Sequence, residues 1–290
     1  MNNLEERQNY YCVNCETSFA SEKELKNCIF CNAILHDNSS IYNIKYNYII
    51  PFTKNEKDCI SIIKKYVFKK KLVSSKFNIL KNKKNLYGIY MPVWLVDFET
   101  AGEVDFDCKK ITKFKSKKNK YVKTDSHLVT IGGSMNFNNI PIYTSKCNNK
   151  EIFDSFNYNN KKEFDIKYLE SYILEAPQLK LKETIALGEL RAKEMFVEKI
   201  QKEVGKYDSC NIKDASININ NIKKECILVP LWVYTTDYKG KIYNIVVNGQ
   251  NGKIFENIPI SIKKMFFIWL LIFILLFILL FILFNYKVML

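Results

Sequence analysis

The chain has 290 residues and a formal net charge of +14, from 44 Lys and Arg against 30 Asp and Glu. Most of the excess is Lys, in a chain also rich in Asn and Ile. AT-rich coding alone can produce this composition, so net charge by itself does not indicate a nucleic-acid partner. Only two histidines are present, neither in a metal or base motif, and nothing in the sequence indicates a Ser/His/Asp or Cys/His catalytic site.

Four cysteines near the N-terminus have the spacing of a zinc site. Cys12 and Cys15 form one CxxC motif, Cys28 and Cys31 form a second, and twelve residues separate the two. Each motif can make a tight turn that presents two thiolates, and two such turns close a tetrahedral sulfur site. Four thiolates leave no open position for water, so one structural Zn²⁺ is expected. We predict a zinc ribbon over residues 1–37, folded by its metal.

The rest of this segment suggests a contact surface. Phe19 is the one aromatic residue between the two motifs, and with Ile29 and Phe30 it favours a small docking surface over a basic nucleic-acid face. His36 is expected to be an ordinary exposed histidine, because the thiolates already fill the metal shell. The other five cysteines are scattered without a disulfide framework, so reduced thiols are expected.

Residues 41–260 predict an α+β body. Alternating apolar residues from 42 to 52 predict a half-buried strand. Thr53 and Glu56 predict a capping box, followed by a helix that ends near Lys71.

The next segment, GIYMPVWLVDFETAGEVDFD, predicts a strand, a turn at Gly102 and a returning strand. Pro92 within it indicates an edge strand or a bulge, because proline cannot donate to the ladder. A further strand is expected around residues 127–136.

A long amphipathic helix is predicted over residues 181–204, with Gly205 as its C-terminal stop. Its buried stripe is predicted to contain Ala186, Leu190, Val197, Ile200 and Val204. After it, ECILVPLWVYTTDYKGKIYNIVVNGQNGKIF predicts two strands joined at Lys239 and Gly240, then a tight turn over residues 248–252.

Two segments align without a gap: IYMPVWLVDFETAGEV and ILVPLWVYTTDYKGKI. The alignment matches Trp94 with Trp232, and each segment follows an amphipathic helix. We therefore predict two copies of a helix-plus-hairpin unit, at residues 54–108 and 182–247. Core packing is the favoured role of the two tryptophans, and ligand binding is the alternative.

Charged residues cluster in the body at residues 64–71 and again at residues 97–123. Asp105 and Asp107 share a strand face in an acidic segment, where they could bind a cation, although simple solvation is favoured. The residues that follow form a Lys-rich loop that could contact anionic lipid or nucleic acid, or could simply be solvated. Its lysines are Lys109, Lys110, Lys113, Lys115, Lys117, Lys118, Lys120 and Lys123.

Residues 265–284 are apolar throughout and predict one transmembrane helix, because twenty residues at about 1.5 Å each match the hydrocarbon core of a bilayer. Lys263 and Lys264 precede it and Lys287 follows, which favours a cytoplasmic position for the preceding domains. The N-terminus lacks the apolar region of a cleavable secretory signal. A tail-anchored, single-pass protein of the cell membrane is therefore expected.

Several motifs together resemble a known family: the paired CxxC motifs, IIPF, PVW, GSMNFNNIPI and LVPLWVYTTDYKGKIYNIVVNGQNGKIFENIPIS. The chain is similar to bacterial membrane proteins with an N-terminal zinc ribbon of the transcription factor IIB type. Members are often mislabelled as replication-restart helicases, but this sequence has no GxxxxGK[ST] loop to bind phosphates. The resemblance implies a zinc ribbon and a C-terminal membrane helix and implies no biochemical activity.

Two functions remain as hypotheses. The favoured one is a non-enzymatic interaction or scaffold module at the cytoplasmic membrane face, with a protein partner. The alternative is a membrane-tethered nucleic-acid binder that uses the ribbon and the Lys-rich loop.

Overall fold

The structure is a computed structural model that describes residues 7–38, 45–70, 72–73, 85–115, 120–143, 150–177, 181–205 and 207–288. The strands, in chain order, are β1 (Gln8–Tyr11), β2 (Ser18–Ser21), β3 (His36–Asp37), β4 (Tyr48–Ile49), β5 (Leu86–Lys115), β6 (Lys120–Tyr143), β7 (Lys162–Glu163), β8 (Ile173–Glu175), β9 (Ser209–Tyr238), β10 (Lys241–Asn248) and β11 (Ile254–Glu256). The helices are α1 (Glu56–Lys69), α2 (Lys150–Asp154), α3 (Leu181–Glu203) and α4 (Ile262–Val288). Two 3₁₀ turns lie at Tyr158–Asn160 and Ile166–Leu169.

One mixed sheet organises the fold. Its main path is β11-β10-β9-β5-β8-β2-β1-β3, β6 pairs with the free side of β5, and β4 joins β7 to β9. The centre is the antiparallel pair of β5 and β9, which are 30 residues long each. The expected α+β class is confirmed, with a structure that is mostly strand.

The burial of β5 changes along its length as its sequence does. The continuous apolar run from Ile89 to Val96 is buried on both faces of the sheet. Beyond Asp97 the residues alternate between buried and exposed, because only one face of the strand is covered there. The sheet therefore has a doubly covered body and a thinner extension.

The body is a sandwich with the sheet in the middle. One core packs Ile89, Met91 and Val93 against the N-terminal segment and against residues 152–156. The opposite face carries α1, whose buried Cys59 contacts the strands β9 and β10. Helix α1 begins at a capping box made by Asn55 and Asp58, instead of the predicted Thr53 and Glu56.

The extension is a three-stranded arm, defined as residues 98–115, 120–137 and 209–221. Helix α3 lies along one face of it and buries Ala192, Phe196 and Ile200 against Phe98 and other arm residues. The other face, which we call the open face, is exposed. At about 3.3 Å per residue β5 is about 95 Å long, so the arm projects well beyond the body.

The predicted turn at Gly102 is wrong, because β5 continues through it. Gly102 lies between Ile217 of β9 and Gly133 of β6. A Cβ atom at Gly102 would lie 2.2 Å from the carbonyl oxygen of Ser216. The glycine therefore permits a close approach of two backbones, which is the other common reason for glycine within a strand.

Other predicted elements need smaller corrections. The strand predicted over residues 42–52 is reduced to Tyr48–Ile49, and residues 41–44 lie outside the described residues. The Lys-rich segment is a hairpin of β5 and β6, except for residues 116–119, which are not described. Helix α3 matches its predicted range. Its predicted buried stripe is confirmed at Ile200 and Val204. The stripe is wrong at Leu190, which is 56% exposed, while Ala192 and Phe196 are buried.

Pro92 lies in the centre of the sheet, and the register explains why it is tolerated. On one side it faces Leu228 of β9. On its other side, the pairing of β5 with β8 ends at Tyr90 and the pairing with β6 begins at Val93. Pro92 therefore occupies a gap in the ladder, where a missing N–H removes no hydrogen bond.

Candidate metal centre

The four cysteines of the two CxxC motifs come together in one cluster. Their sulfur atoms all lie within 4.8 Å of one another. The Cys12 and Cys31 sulfurs are 3.4 Å apart, and the Cys15 and Cys28 sulfurs are 3.5 Å apart. Tetrahedral Zn–S bonds of about 2.3 Å require sulfur separations of about 3.8 Å, so the cluster can close around a metal ion with small movements.

Two matching backbone turns present these thiols. The residue after each motif has a left-handed backbone, with φ of 56° at Glu16 and 59° at Asn32. The amide of Cys12 donates to the Thr17 carbonyl, and the amide of Cys28 donates to the Ala33 carbonyl. Each CxxC therefore folds back on itself, which is how a zinc knuckle directs two sulfurs to one side.

The thiols of the cluster do not ionise equally easily, because their surroundings shift pKa values in different directions. The hydrogen bond with the Cys28 thiol lowers the pKa of Cys15 to about 5. The hydrogen bond with Cys15 raises the pKa of Cys28, and burial raises it further. Burial raises the pKa of Cys12. A divalent cation would stabilise all four thiolates together, and its binding would release the remaining protons.

The N-terminal segment that carries the four cysteines is built into the body and is not an independent docking module. Phe19 is fully buried and Ile29 is 1% exposed, both in the core that includes the central strands. Strand β2 pairs with β8, where Phe19 lies opposite Glu175. The prediction that Phe19, Ile29 and Phe30 form a docking surface is therefore wrong for the two buried residues, and Phe30 packs against the same core.

Hydrogen bonds also hold the N-terminal segment against the body. Asn244 donates from its side-chain amide to the Phe30 carbonyl over 2.8 Å, and Thr235 donates to the Ile29 carbonyl. Arg7 is 5% exposed and donates to the carbonyls of Leu169 and Tyr172 and to the Glu22 carboxylate. No sequence motif marks Arg7 as a residue that makes these contacts. His36 is exposed in β3, opposite Tyr11, and is not part of the sulfur cluster.

The prediction of reduced thiols at the other five cysteines is wrong for two of them. Cys108 of β5 and Cys210 of β9 lie opposite each other and form a disulfide. Burial raises the pKa of both Cys59 and Cys226 to about 12, so these two free thiols stay protonated. Cys147 lies outside the described residues.

The tip of the arm carries the predicted basic residues. Those in the described part of the chain are exposed: Lys109, Lys110, Lys113, Lys115, Lys120 and Lys123. Lys117 and Lys118 fall in the undescribed range. Behind the tip, Asp105 accepts a hydrogen bond of 2.6 Å from Thr130 and lies opposite Asp214 of β9, so the open face is acidic there.

One C-terminal helix is long and apolar enough to span a membrane. The candidate span is Ile262–Ile282, with a mean hydropathy of 3.3. The side chains of residues 265–282 are all exposed, unlike those of a buried core helix. An apolar helix without a protein covering is suited to lipid, so α4 could anchor the chain in a membrane.

A known bacterial protein resembles this chain. The chain is 25% identical over 218 residues to the uncharacterised protein YdjG of Bacillus subtilis (strain 168). The match covers 73% of this chain and 63% of the relative, so the chain spans less than two thirds of that protein's length. No protein-family description matches the chain, and no solved structure matches it.

Proposed function

We propose that this protein is a membrane-anchored, zinc-stabilised scaffold without enzymatic activity, and that it presents its arm to a protein partner. The main support for this proposal is the exposed arm. It is a three-stranded sheet stiffened by α3, and its exposed surface carries charges of both signs far from the body. A projecting sheet of this kind is suited to contact, and an open sheet edge beside an exposed face is a typical site of protein association.

The proposed metal is Zn²⁺ in a structural role. The cluster offers only sulfur ligands, which zinc accepts in a tetrahedral set and which leave no position for a reactive water. Among the described residues this is the one group of three or more His, Cys, Asp or Glu side chains placed to hold a metal ion. We infer a zinc ribbon whose metal holds the N-terminal segment against the central sheet.

The proposed location is the cell membrane, with the bulk of the chain on the cytoplasmic side. Lys263 and Lys264 before the span support this orientation, as does the need for reduced ligands at the metal. The Cys108–Cys210 disulfide is more typical of an oxidising compartment, and it argues for the opposite side. We give the proposed reduced ligands more weight because the four-cysteine cluster is built into the fold.

We also infer that the two aligned strand segments are copies of one unit. In the alignment Met91 matches Val229, and in the sheet these two residues are directly paired. The segments are thus related by a local two-fold axis through this pair. Pro230, the match of Pro92, likewise lies between two partner strands of β9, since β4 pairing ends at Leu228 and β10 pairing begins at Leu231.

Nucleic-acid binding by the tip is the second candidate, and the exposed lysines favour it. Against it stands the acidic open face directly behind the tip, with Glu99, Glu103, Asp105 and Asp107 along β5. A phosphate backbone would be repelled from this face, whereas a protein with complementary charges would not. We therefore favour a protein partner.

Charge variants of the full-length chain in native membranes test these alternatives. The tip variant replaces Lys109, Lys110 and Lys113 with Gln. Its matched control replaces Lys182, Lys193 and Lys202 on the exposed side of α3 with Gln, so both lose three positive charges. Crosslinking with mass spectrometry should recover a protein crosslinked to the arm in the wild type and the control.

The scaffold proposal expects that partner to be reduced or lost in the tip variant alone. A nucleic-acid binder would behave differently. Its affinity for DNA or RNA would fall with salt, with a slope of about −0.9 per phosphate contact, and the slope would be shallower in the tip variant. Salt-dependent binding without an arm-bound protein would overturn the favoured function.

A further inference from the structure

Strand β6 has a long edge that pairs with nothing in the part of the chain the structure describes. Residues 120–137 of β6 pair with β5 in one unbroken register. The outer edge of β9 in the arm is different. Its register against β5 shifts twice, next to Phe98 and next to Phe106. Bulges protect edge strands from association, so β6 is the edge that the arm leaves open to another strand.

We propose that the β6 edges of two copies of this chain pair antiparallel, with Ser126 opposite Ser126. The contact joins the arms into a six-stranded sheet in the order β9-β5-β6-β6-β5-β9. A two-fold axis through Ser126 makes the interface self-complementary, as expected for a homodimer. Because a one-residue slip turns every side chain to the other face of the sheet, only registers shifted by two residues compete with this one.

Charge selects the direction of the pairing. A parallel, in-register pairing would place Lys120 beside Lys120 and Lys123 beside Lys123, and like charges opposite each other are unfavourable. The antiparallel pairing centred on Ser126 places Lys120 opposite Gly132 of the second copy.

Gly132 lies beside an acidic side chain. Glu103 is opposite Gly132 on β5, and a Cβ atom at Gly132 would be 3.0 Å from the Glu103 Cγ. The Glu103 side chain therefore extends across the glycine towards the open edge, within reach of Lys120 from the second copy. On the other face, Asp125 lies opposite His127 of the second copy. Each of these contacts occurs twice because of the two-fold axis.

The same register covers apolar side chains that are exposed in one copy. Val122 is 63% exposed, Leu128 is 59% exposed and Tyr121 is 53% exposed. In the pair, Leu128 faces Thr124 of the second copy and is a diagonal neighbour of its Val122. Tyr121 faces Ile131 of the second copy. Cross-strand pairs of aromatic and β-branched residues stabilise sheets, so the pairing adds apolar contacts for these exposed side chains.

This inference goes beyond the proposed function and does not depend on it. A monomeric chain that still captures a protein through its tip would overturn the self-pairing and leave the scaffold proposal intact.

Cysteine crosslinking of the full-length chain in membranes tests the register. Ser126→Cys is predicted to form a crosslinked dimer with a short bismaleimide, well above the wild-type background from native cysteines. Ser134→Cys is the matched control, since both serines are exposed on the open face of β6. In the proposed pairing the two copies of residue 134 are about 50 Å apart, so this variant should stay at background. Equal crosslinking of both variants, or of neither, would overturn the proposal.

Charge exchange gives an independent test. Lys120→Glu or Glu103→Lys alone should reduce the Ser126→Cys dimer about five- to tenfold, because each places like charges together at two symmetric points. The double variant, with the charges exchanged, should restore it. Single variants without effect, or a double variant no better than either, would show that this contact does not exist.

Discussion

Trp94 and Trp232 occupy similar buried positions but differ in one hydrogen bond. They are 8% and 6% exposed, which agrees with the core-packing interpretation. The Trp232 indole N–H donates to the Lys54 carbonyl over 2.8 Å. The Trp94 indole N–H is buried and has no hydrogen-bond acceptor within the described ranges.

Replacing each tryptophan with Ala should therefore lower the free energy of unfolding by about 3–5 kcal/mol. Phenylalanine should separate the two sites. Trp232→Phe leaves the Lys54 carbonyl without its donor and should cost about 1–2 kcal/mol more than Trp94→Phe. Thermal melts of the full-length protein in detergent measure the difference. Two stable Ala variants would refute the packing role.

Loss of one zinc ligand should destabilise more than the N-terminal segment. Cys28→Ser is expected to lose the metal, measured as zinc per chain, and to release Phe19 and Ile29 from the common core. Each such side chain contributes about 1.5–3 kcal/mol when buried, so the melting temperature of the body should fall by at least about 5 °C.

Cys59→Ser is the control for this experiment, because Cys59 is a buried thiol outside the cluster. It should keep a full complement of zinc. A Cys28→Ser protein that lacks zinc and melts at the wild-type temperature would show that the segment and the body are energetically separate.

At the scale of secondary-structure elements, the disulfide between β5 and β9 makes the clearest contribution to the free energy of unfolding. It joins β5 and β9 across 102 residues of sequence, and a crosslink that closes so long a loop restricts the unfolded chain strongly. The double variant Cys108→Ser, Cys210→Ser should lower the free energy of unfolding by about 2–5 kcal/mol. Hydrogen exchange should speed up most in the arm. If a reductant leaves the melting curve of the wild-type protein unchanged, the crosslink makes no such contribution.

Local sequence patterns predicted the features that depend on residues close together in the chain. The CxxC spacing gave the sulfur cluster, Gly240 with its φ of 72° gave the β9–β10 turn, and the apolar run gave α4. The error at Gly102 arose because a glycine that turns a chain and one that admits a neighbouring strand look the same in sequence. Similarly, the burial of Phe19 depends on strands more than 60 residues away, which no local pattern records.

At the scale of the whole molecule, the direction of α4 across the membrane decides the compartment. If Lys263 and Lys264 determine it, protease added to intact cells should spare the body and the arm, and a tag after Leu290 should be reachable from outside. Immunoblots with and without permeabilisation measure both. Cleavage of the body in intact cells would place it outside, in an oxidising environment where the Cys108–Cys210 disulfide would be stable.

The placement of the anchor also has a mechanical consequence. Strand β11 runs antiparallel to β10 and leads the chain into α4 from the end of the sheet opposite the arm tip. A pull on the tip against the membrane would try to slide the strands past one another, so the hydrogen bonds of a ladder would share the load. The β5–β9 ladder has more than twenty paired residues and a covalent clamp, whereas β10 and β11 share three pairs. Under tension the pairing of β10 with β11, beside the membrane anchor, would break first, and the arm would stay folded.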